Sequence, residues 1–412
     1  MNSFYFFFRN MDQNSQAQMQ MAWGQQLTPE QIAQMQQAQA MQQAMNALLA
    51  NPEQYLWYLF DLMIRYKSSD IYLTYGEEPT LRIYGEARRI TNLPKLTDEV
   101  LDWICKFMMT DEDRRIYNEE FSSDFGISMH GRRYRVNVSR QRSHYMIVVR
   151  LLEEKIPTID ERGLPQLFKK IVQRTNGIIF VAWPTGSWKS TTLAAMIEEI
   201  NMTQSKHIIT IEDPIEYIFE PKKSIFEQKQ LGKDIVSFAS AMKGALRQRP
   251  DVILFGEARD VVSIQNAIQL AETWHLVMTT IHSRSAEQTI AKIVSMFPAD
   301  EQAQIRDNLA ENMVAIIIQK LIRTIDGKGM VPAHEILLNN TAVSNTIREN
   351  KLNQLKNVMY TNRNNGMQIF EDNLAQLVEA NLITVEQALS VANDQDHLKR
   401  ELMSKGIIGR AG

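Results

Sequence analysis

Residues 181–192 combine a short apolar run, a tight turn and a basic residue in an order that could bind a triphosphate. The segment is Val-Ala-Trp-Pro-Thr-Gly-Ser-Trp-Lys-Ser-Thr-Thr. It fits the pattern G-x-x-x-x-G-K-[ST] at Lys189 and Ser190, but tryptophan occupies both glycine positions. In such a loop, main-chain N–H groups surround the phosphates, the lysine contacts the β- and γ-phosphates, and the serine hydroxyl reaches Mg²⁺. The predicted nucleotide-binding residues are Trp183, Pro184, Thr185, Gly186, Ser187, Trp188, Lys189, Ser190 and Thr191.

The segments around this loop are those that a phosphate site needs. Residues 178–181 are apolar and predict a buried strand, and residues 191–200 predict the helix that follows. A helix that begins directly after a strand and a tight loop presents free N–H groups to an anion. The sequence therefore predicts an anion site of the kind found in enzymes that bind nucleoside triphosphates.

Further carboxylates and histidines lie at the ends of other apolar runs. Residues 207–211 are followed by two glutamates and an aspartate, residues 252–255 by a glutamate, and residues 276–281 are flanked by two histidines. Carboxylates at strand ends can hold Mg²⁺ or polarise a water for attack. These residues are Glu212, Asp213, Glu216, Glu257, His275 and His282.

The order of predicted elements indicates an α/β fold. From Gln166, predicted strands at 178–182, 207–211, 252–255, 276–281 and 330–338 alternate with helices that include 238–247 and 262–273. Such alternation is typical of a parallel sheet covered on both faces. Ligands bind beyond the carboxyl ends of strands in sheets of this kind, where the carboxylates fall.

The remaining segments predict a chain of several parts. Residues 1–50 are a Gln/Met-rich, low-complexity arm. Residues 51–152 predict a small α+β domain, and residues 153–165 a linker with two prolines and a glycine. Residues 166–403 predict the α/β domain with late helices, and residues 404–412 a tail.

Composition excludes several classes of protein. The chain of 412 residues is 44% hydrophobic and 23% charged, as soluble globular proteins are. A net charge of −3 predicts no basic surface, so no direct nucleic-acid partner is expected. The single cysteine, Cys105, excludes a disulfide framework and indicates a reducing compartment. No apolar run approaches the roughly 18–20 residues of a membrane span.

Together these segments resemble the PilT-like branch of the type II/type IV secretion ATPases, the motors that retract pili and drive related secretion systems. Ile211–Glu216 resembles the family's Asp box, Phe255–Asp260 its Walker B element and Ala271–His282 its His box. Gly256 occupies the position where many ATPases have a metal-binding aspartate.

Two later segments extend the resemblance, which covers about residues 55–400. Residues 342–349, Ala-Val-Ser-Asn-Thr-Ile-Arg-Glu, are similar to the AIRNLIRE signature of retraction motors. Residues 366–368, Gly-Met-Gln, match a further late motif. The resemblance implies a PAS-like N-terminal domain, a RecA-like P-loop ATPase domain and a ring-shaped homohexamer.

The resemblance also implies roles for individual residues. Glu216 would be the base for the attacking water, Ser190 and Glu257 would bind Mg²⁺, and His275 and His282 would sense conformation. Arginines from the first domain would complete the catalytic site, and the candidates are Arg133, Arg135 and Arg150.

The implied activity is ATP hydrolysis that powers type IV pilus retraction or a related secretion machine. The implied partner is the inner-membrane platform protein of that machine. The protein would then be cytoplasmic and peripheral to the membrane, at the cytoplasmic face of the inner membrane.

Tryptophan replaces a family glycine at Trp183, Trp188 and Trp274. Glycine serves in such turns because it lacks Cβ, and a bulky residue there costs about 1–3 kcal/mol. Three hypotheses account for this: an inactive paralogue kept as a scaffold subunit, deliberate mutation, or UGA codons that the organism reads as glycine and a translation table reads as tryptophan. We favour the third, because Lys189 and the candidate catalytic residues are all retained. The predicted ATPase activity is conditional on it.

Overall fold

The computed structural model describes residues 51–129, 131–152, 155–182, 189–327 and 329–409. The predicted arm at 1–50, part of the predicted linker and the last three residues of the predicted tail lie outside these ranges. Contact density divides the chain into two compact units. The first contains the described residues up to Thr110 together with Val138–Val148, and the second contains Asp111–Asn137 and the residues from Val149 onward. The domain limits drawn from the sequence remain a prediction.

The first helix shows how the sequence specifies an element of the first unit. Helix α1 (Pro52–Arg65) begins because the Asn51 side chain accepts a hydrogen bond from the N–H of Gln54 and proline occupies the first helical turn. Leu56, Leu59, Phe60 and Met63 are spaced to form one apolar face, and all four are buried. The unit continues through β1 (Asp70–Thr74), β2 (Thr80–Ile83), β3 (Glu86–Arg89) and α2 (Asp98–Met108).

A six-stranded sheet has the strand order β3-β2-β1-β6-β5-β4. Its later strands are β4 (Ser122–Met129), β5 (Arg132–Gln141) and β6 (His144–Leu151). Helix α3 (Asp111–Glu120), which the sequence analysis did not predict, precedes β4. Together with the helices, these strands give residues 51–152 the mixture of helix and strand that the sequence analysis predicts.

A seven-stranded sheet forms the centre of the second unit, in the order β13-β12-β7-β11-β10-β8-β9. All neighbours are parallel except β12 and β13, which pair antiparallel. The parallel central sheet is therefore confirmed, with one antiparallel edge strand. Strands β9 and β12 were not predicted. The strands are β7 (Gly177–Ala182), β8 (His207–Glu212), β9 (Ile225–Gln230), β10 (Val252–Glu257), β11 (Leu276–Ile281), β12 (Met313–Arg323) and β13 (Met330–Leu338).

Helices cover both faces of this sheet, as the alternating elements predict. Along β7, Ile178 and Phe180 belong to one buried cluster, whereas Ile179 and Val181 belong to the cluster on the opposite face. The described helices of this part are α4 (Leu167–Ile171), α5 (Lys189–Thr203), α6 (Phe238–Ala245), α7 (Val261–Glu272), α8 (Ala286–Ser295), α9 (Gln302–Asn312), α10 (Thr341–Arg348), α11 (Leu355–Thr361), α12 (Phe370–Glu379), α13 (Val385–Val391) and α14 (Gln395–Ser404).

Gly177 allows β7 to lie beside β12. Its φ is +108°, and a Cβ there would lie 2.5 Å from Cγ2 of Val314 and 2.8 Å from the carbonyl oxygen of Asn312. Glycine is therefore required at the start of the strand that leads to the predicted phosphate loop. In the part of the chain that the structure describes, no helix combines the length and apolar character needed to cross a bilayer.

Candidate nucleotide-binding site

The strand and the helix predicted to flank the phosphate loop are both present. Strand β7 ends at Ala182 and helix α5 begins at Lys189. Ser190 and Thr191 lie in the first turn of α5, where free N–H groups and the helix dipole favour an anion. The predicted residues Trp183, Pro184, Thr185, Gly186, Ser187 and Trp188, and the side chain of Lys189, lie outside the described part.

Four parallel strands bring the other candidate residues to the same edge of the sheet. Strands β7, β11, β10 and β8 are neighbours in that order. In their register Ala182 pairs with Ile281, and Glu257 pairs with Thr280. The residues that follow the carboxyl ends of these strands therefore surround the start of α5, where ligands bind in such folds.

Glu257 and His282 are in direct contact at this edge. Nε2 of His282 lies 2.8 Å from Oε1 of Glu257, and Nε of Arg259 lies 2.7 Å from Oε2. The pairing of β10 with β11 shifts register between Phe255 and Glu257, which redirects the glutamate side chain as a bulge does. The structure thus joins a residue of the Walker B segment to one of the His box, and it adds Arg259, for which no role was predicted.

The close approach of β8 explains why glycine occupies position 256. A Cβ at this position would lie 3.3 Å from the carbonyl oxygen of Ile211 and 3.5 Å from Cα of Glu212. An aspartate there would therefore press on the neighbouring strand. The glycine leaves Glu257, one residue later, as the acidic residue at the end of β10.

Arg135 lies beside Glu216. Its Nη1 atom is 3.7 Å from Oε1 of Glu216, and its Nη2 atom is 2.5 Å from Oδ2 of Asp124. The hydrogen bond to Asp124 raises the pKa of Arg135, so the guanidinium stays charged. Arg135 and Glu216 therefore lie close together, and their catalytic roles stay predictions.

The other two candidate arginines occupy different positions. Nη2 of Arg133 donates a hydrogen bond to the carbonyl oxygen of Ile215 at 2.9 Å, so it holds the main chain of the Asp box. Burial lowers the pKa of Arg133. Arg150 is exposed on β6, one strand further along the six-stranded sheet. Among these three arginines, Arg135 forms an ion pair with Glu216.

Glu212 is a buried carboxyl group to which the sequence analysis assigned no individual role. Its Oε2 atom accepts the N–H of Glu216 at 3.4 Å, whereas its Oε1 atom is buried without a hydrogen bond to the described residues. Burial raises the pKa of Glu212 to about 7. It lines a small cavity together with Ser190, Tyr217 and Thr280. Its position at the end of β8 was the available signal, but sequence alone does not reveal which glutamate of the Asp box points inward.

Tyr217 connects the phosphate-loop helix to the Asp box. Its hydroxyl lies 2.9 Å from Oγ1 of Thr191, and both residues are buried. Because Tyr217 follows Glu216, this contact fixes the position of Glu216 relative to the first turn of α5.

The donors at the edge suit Mg²⁺. Ser190 is half-buried and lines the cavity that Gly256 also lines, next to Glu257. Hydroxyl and carboxylate oxygens are the ligands that this hard cation prefers, usually together with waters and substrate phosphates. Ser190 and Glu257 would hold the ion.

His275 lies at the opposite end of β11 from His282. Its Nδ1 atom is 3.0 Å from the carbonyl oxygen of Leu270 and 3.1 Å from Oγ1 of Thr273, so it caps the end of α7. A strand of this length places the two histidines roughly 20 Å apart. The structure therefore does not bring His275 together with Glu257 and His282 within one chain.

Trp274 adopts a conformation that glycine normally supplies. Its φ is +70° and 78% of its surface is exposed. It is the second residue beyond the end of α7, and the N–H of His275 approaches the carbonyl oxygen of Leu270 at 3.4 Å, as in a Schellman motif. The backbone at 274 is therefore that of a helix-ending glycine.

Comparison with known proteins identifies the family of this chain. A family model for type II/IV secretion system proteins matches residues 52–408. The chain is 40% identical over 346 residues to a twitching motility protein of Neisseria gonorrhoeae, which covers 82% of this chain and 92% of the relative. It is also 40% identical over 322 residues to the type IV pilus retraction ATPase PilT of Pseudomonas aeruginosa, covering 78% of this chain and 93% of that protein.

Solved structures show the same fold. A crystal structure of the pilus retraction motor PilT with bound ADP matches with a TM-score of 0.75 and 41% identity, covering 83% of this chain and 98% of that one. The ATPase DotB of Legionella pneumophila matches with a TM-score of 0.70 at 24% identity, covering 82% and 95%. The predicted RecA-like α/β fold is confirmed. The chain belongs to the type II/IV secretion system family and, within it, to the PilT-like secretion ATPases.

Proposed function

We propose that this protein is a motor ATPase that works as a ring hexamer and hydrolyses ATP to power type IV pilus retraction or a related secretion machine. The observation that carries the proposal is the contact between Glu257 and His282 at the carboxyl edge of the sheet, beside the start of α5. The 40% identity to a pilus retraction ATPase over 93% of its length supports the same activity.

Phosphoryl transfer depends mainly on positioning and charge stabilisation. The residues at the carboxyl edge of the seven-stranded sheet would each supply one part of this. Lys189 would hold the phosphates, and Ser190 and Glu257 would hold Mg²⁺. Glu216 accepts the proton of the attacking water. Arg135, already 3.7 Å from Glu216, stabilises the charge that develops on the phosphoryl group. Mg²⁺, when bound, neutralises part of the phosphate charge.

The positive φ of Trp274 supports the hypothesis that the three tryptophans are decoded glycines. Trp274 lies within the described residues, and its left-handed backbone conformation is one that glycine favours. Trp183 and Trp188 lie outside the described residues, and at both positions the phosphate-loop pattern has glycine.

A second candidate function is a ring subunit that does not hydrolyse ATP. The two tryptophans in the phosphate loop favour it, because indoles would fill the space that phosphates need. As a scaffold, the subunit would keep its hexamer contacts and lose turnover.

ATP turnover separates these functions. We call the triple variant Trp183→Gly/Trp188→Gly/Trp274→Gly the glycine form. We expect the glycine form to hydrolyse ATP with Mg²⁺ and to lose activity in EDTA. The form with tryptophans is expected to be at least about 100-fold slower, since misplaced phosphates forfeit the positioning on which the rate depends. Lys189→Ala in the glycine form is the matched negative control. An inert glycine form would establish the scaffold function instead.

The location and assembly belong to the same proposal. We propose that the hexamer binds the platform protein of a pilus or secretion system at the cytoplasmic face of the inner membrane, without direct contact to nucleic acid. Mass photometry should show a particle of about six times the 47.6 kDa chain mass. Mass spectrometry of the natively produced loop peptide should show glycine at positions 183 and 188.

A further inference from the structure

A buried chain of polar side chains joins helix α5 to strands β12 and β13. Oγ1 of Thr192 donates a hydrogen bond to Oε1 of Gln319 at 2.7 Å, and Nε2 of His334 lies 3.0 Å from the same oxygen. The three residues are only 1%, 0% and 3% exposed. Hydrogen bonds in such a dry setting are strong, and losing one partner leaves the other unsatisfied.

The protonation state of His334 suits this contact. Burial lowers the pKa of His334 to about 3, so its imidazole is neutral near pH 7. A neutral ring with its proton on Nε2 donates to the amide oxygen. Gln319 and His334 are register partners across β12 and β13, and the ring of Phe168 packs edge-on against His334.

The same point of β13 is tied to the late motif at 366–368. The main-chain N–H of His334 donates to Oδ1 of Asn373 at 2.7 Å, and Nε2 of Gln368 donates to the carbonyl oxygen of His334 at 3.1 Å. Gln368 also exchanges two main-chain hydrogen bonds with Ile336. The motif therefore lies along the outer edge of β13.

Gln319 is a polar side chain in an otherwise apolar row of β12, which packing alone does not require. Ala315 and Ile317 lie on the same face of β12 and belong to the apolar cluster that also contains Leu193 and Ala194 of α5. A glutamine in this row is costly to bury unless its polar atoms are bonded. Its oxygen accepts from a residue of α5 and a residue of β13, so it adds directional hydrogen bonds between two elements that otherwise meet through apolar contacts.

We propose that Gln319 is a positioning residue that fixes the first turns of α5 against β13, so that the phosphate loop and residues 366–373 bias each other's positions. The link itself is independent of the proposed ATPase activity. The expected effect of the link on nucleotide affinity rests on the proposed ATPase function.

Four variants of the full chain test the link. Gln319→Leu removes the acceptor, and Gln319→Glu keeps an oxygen at the same place. Thr192→Val removes only the hydroxyl that donates to Gln319. It replaces Gln319→Leu as the test variant if Gln319→Leu does not fold. Ile318→Ala is the matched control, because Ile318 is buried on the opposite face of the same strand.

Hydrogen exchange of the unliganded protein gives the first result. Gln319→Leu and Thr192→Val should accelerate exchange at residues 190–193 about tenfold, and Gln319→Leu should also accelerate it at 366–373. Gln319→Glu should restore protection, and Ile318→Ala should leave these segments unchanged even when it lowers the melting temperature equally. Adding Thr192→Val to Gln319→Leu should give no further acceleration at 190–193, because the bond is already lost. Unchanged exchange in Gln319→Leu, or equal acceleration in Ile318→Ala, would overturn the proposal.

Nucleotide binding gives the second result, measured in the glycine form with ADP. Gln319→Leu should raise the Kd about tenfold, Gln319→Glu should bring it back towards the parent value, and kcat should change less than KM. If the glycine form binds no ADP at all, the proposed ATPase function fails, whereas the exchange experiment still decides the role of Gln319. A Kd unchanged in Gln319→Leu would overturn the coupling to the phosphate loop.

Discussion

The carboxylate of Glu257 contacts two side chains, because Oε1 lies 2.8 Å from Nε2 of His282 and Oε2 lies 2.7 Å from Nε of Arg259. The end of β10 is thereby connected to the end of β11 by side chains as well as by the sheet. Any change in the position of His282 will act on the orientation of Glu257. This contact is the most direct target for testing the site.

Removing the charge of Glu257 should abolish turnover. We expect Glu257→Gln in the glycine form to lower kcat at least about 100-fold, since the amide would be a weaker ligand for the Mg²⁺ that neutralises the phosphate charge. Binding of ADP without Mg²⁺ should change less than threefold. Glu272→Gln, at the exposed end of α7, is the control and should keep parent activity. Full activity in Glu257→Gln would contradict the assigned site.

Arg135 should matter for catalysis and little for folding. Arg135→Ala should reduce kcat about 100-fold, because the guanidinium beside Glu216 is lost. Arg135→Lys should recover only part of the rate, since lysine lacks the planar fork that engages two partners. Arg88→Ala removes a comparable arginine from an exposed pair with Glu86 and should have no effect. Equal losses in both alanine variants would indicate a general loss of folded protein.

Trp274→Gly should stabilise the protein. The left-handed backbone costs a tryptophan about 1–2 kcal/mol, and the added freedom of glycine in the unfolded chain offsets part of this gain. We expect a net increase of about 0.5–1 kcal/mol in the free energy of unfolding by urea titration. Glu272→Gly, inside the same helix, should lower it by a similar amount. A destabilised Trp274→Gly would argue that the indole has a structural role.

Glu212 should make stability fall as the pH rises. Burial raises its pKa from an ordinary value of 4.5 to about 7. The folded protein therefore keeps a proton that the unfolded chain releases, and the stabilisation present below about pH 4.5 is lost as the pH passes through 7. The full change is about 3 kcal/mol at 1.4 kcal/mol per pKa unit.

Urea unfolding at several pH values tests this assignment. Glu212→Gln should reduce the loss of stability between pH 5 and 8. Glu335, also buried and with a pKa raised to about 7, should account for much of the remainder. Glu86→Gln, at an exposed position, is the control and should leave the profile unchanged. An identical pH profile for Glu212→Gln and the parent would show that Glu212 is already ionised at low pH.

Strongly patterned segments allowed the second unit to be predicted from sequence. The apolar runs of β7, β8, β10 and β11 are short and bounded by polar residues, which favours buried parallel strands. The candidate residues then follow from the rule that ligands bind at the carboxyl edge. The pairing of Glu257 with His282 agrees with that rule, whereas the distant position of His275 reflects its location before the strand instead of after it.

The missed elements have physical reasons. Strand β12 begins with an apolar run, residues 313–318, that directly follows α9, and period alone does not distinguish such a run from buried helix. Strand β9 is mostly polar, so it lacks the signal of a buried strand. The inward direction of Glu212 and the partners of Gln319 depend on residues distant in sequence, which a single sequence does not place.

Strand β13 lies at the edge of its sheet, yet part of its outer side is occupied by Gln368 and Asn373. Bare edges invite strands of other molecules, and natural proteins shield them. Residues 366–373 thus also protect this edge from pairing with strands of other chains. Chains truncated before residue 366 would be prone to aggregate during synthesis.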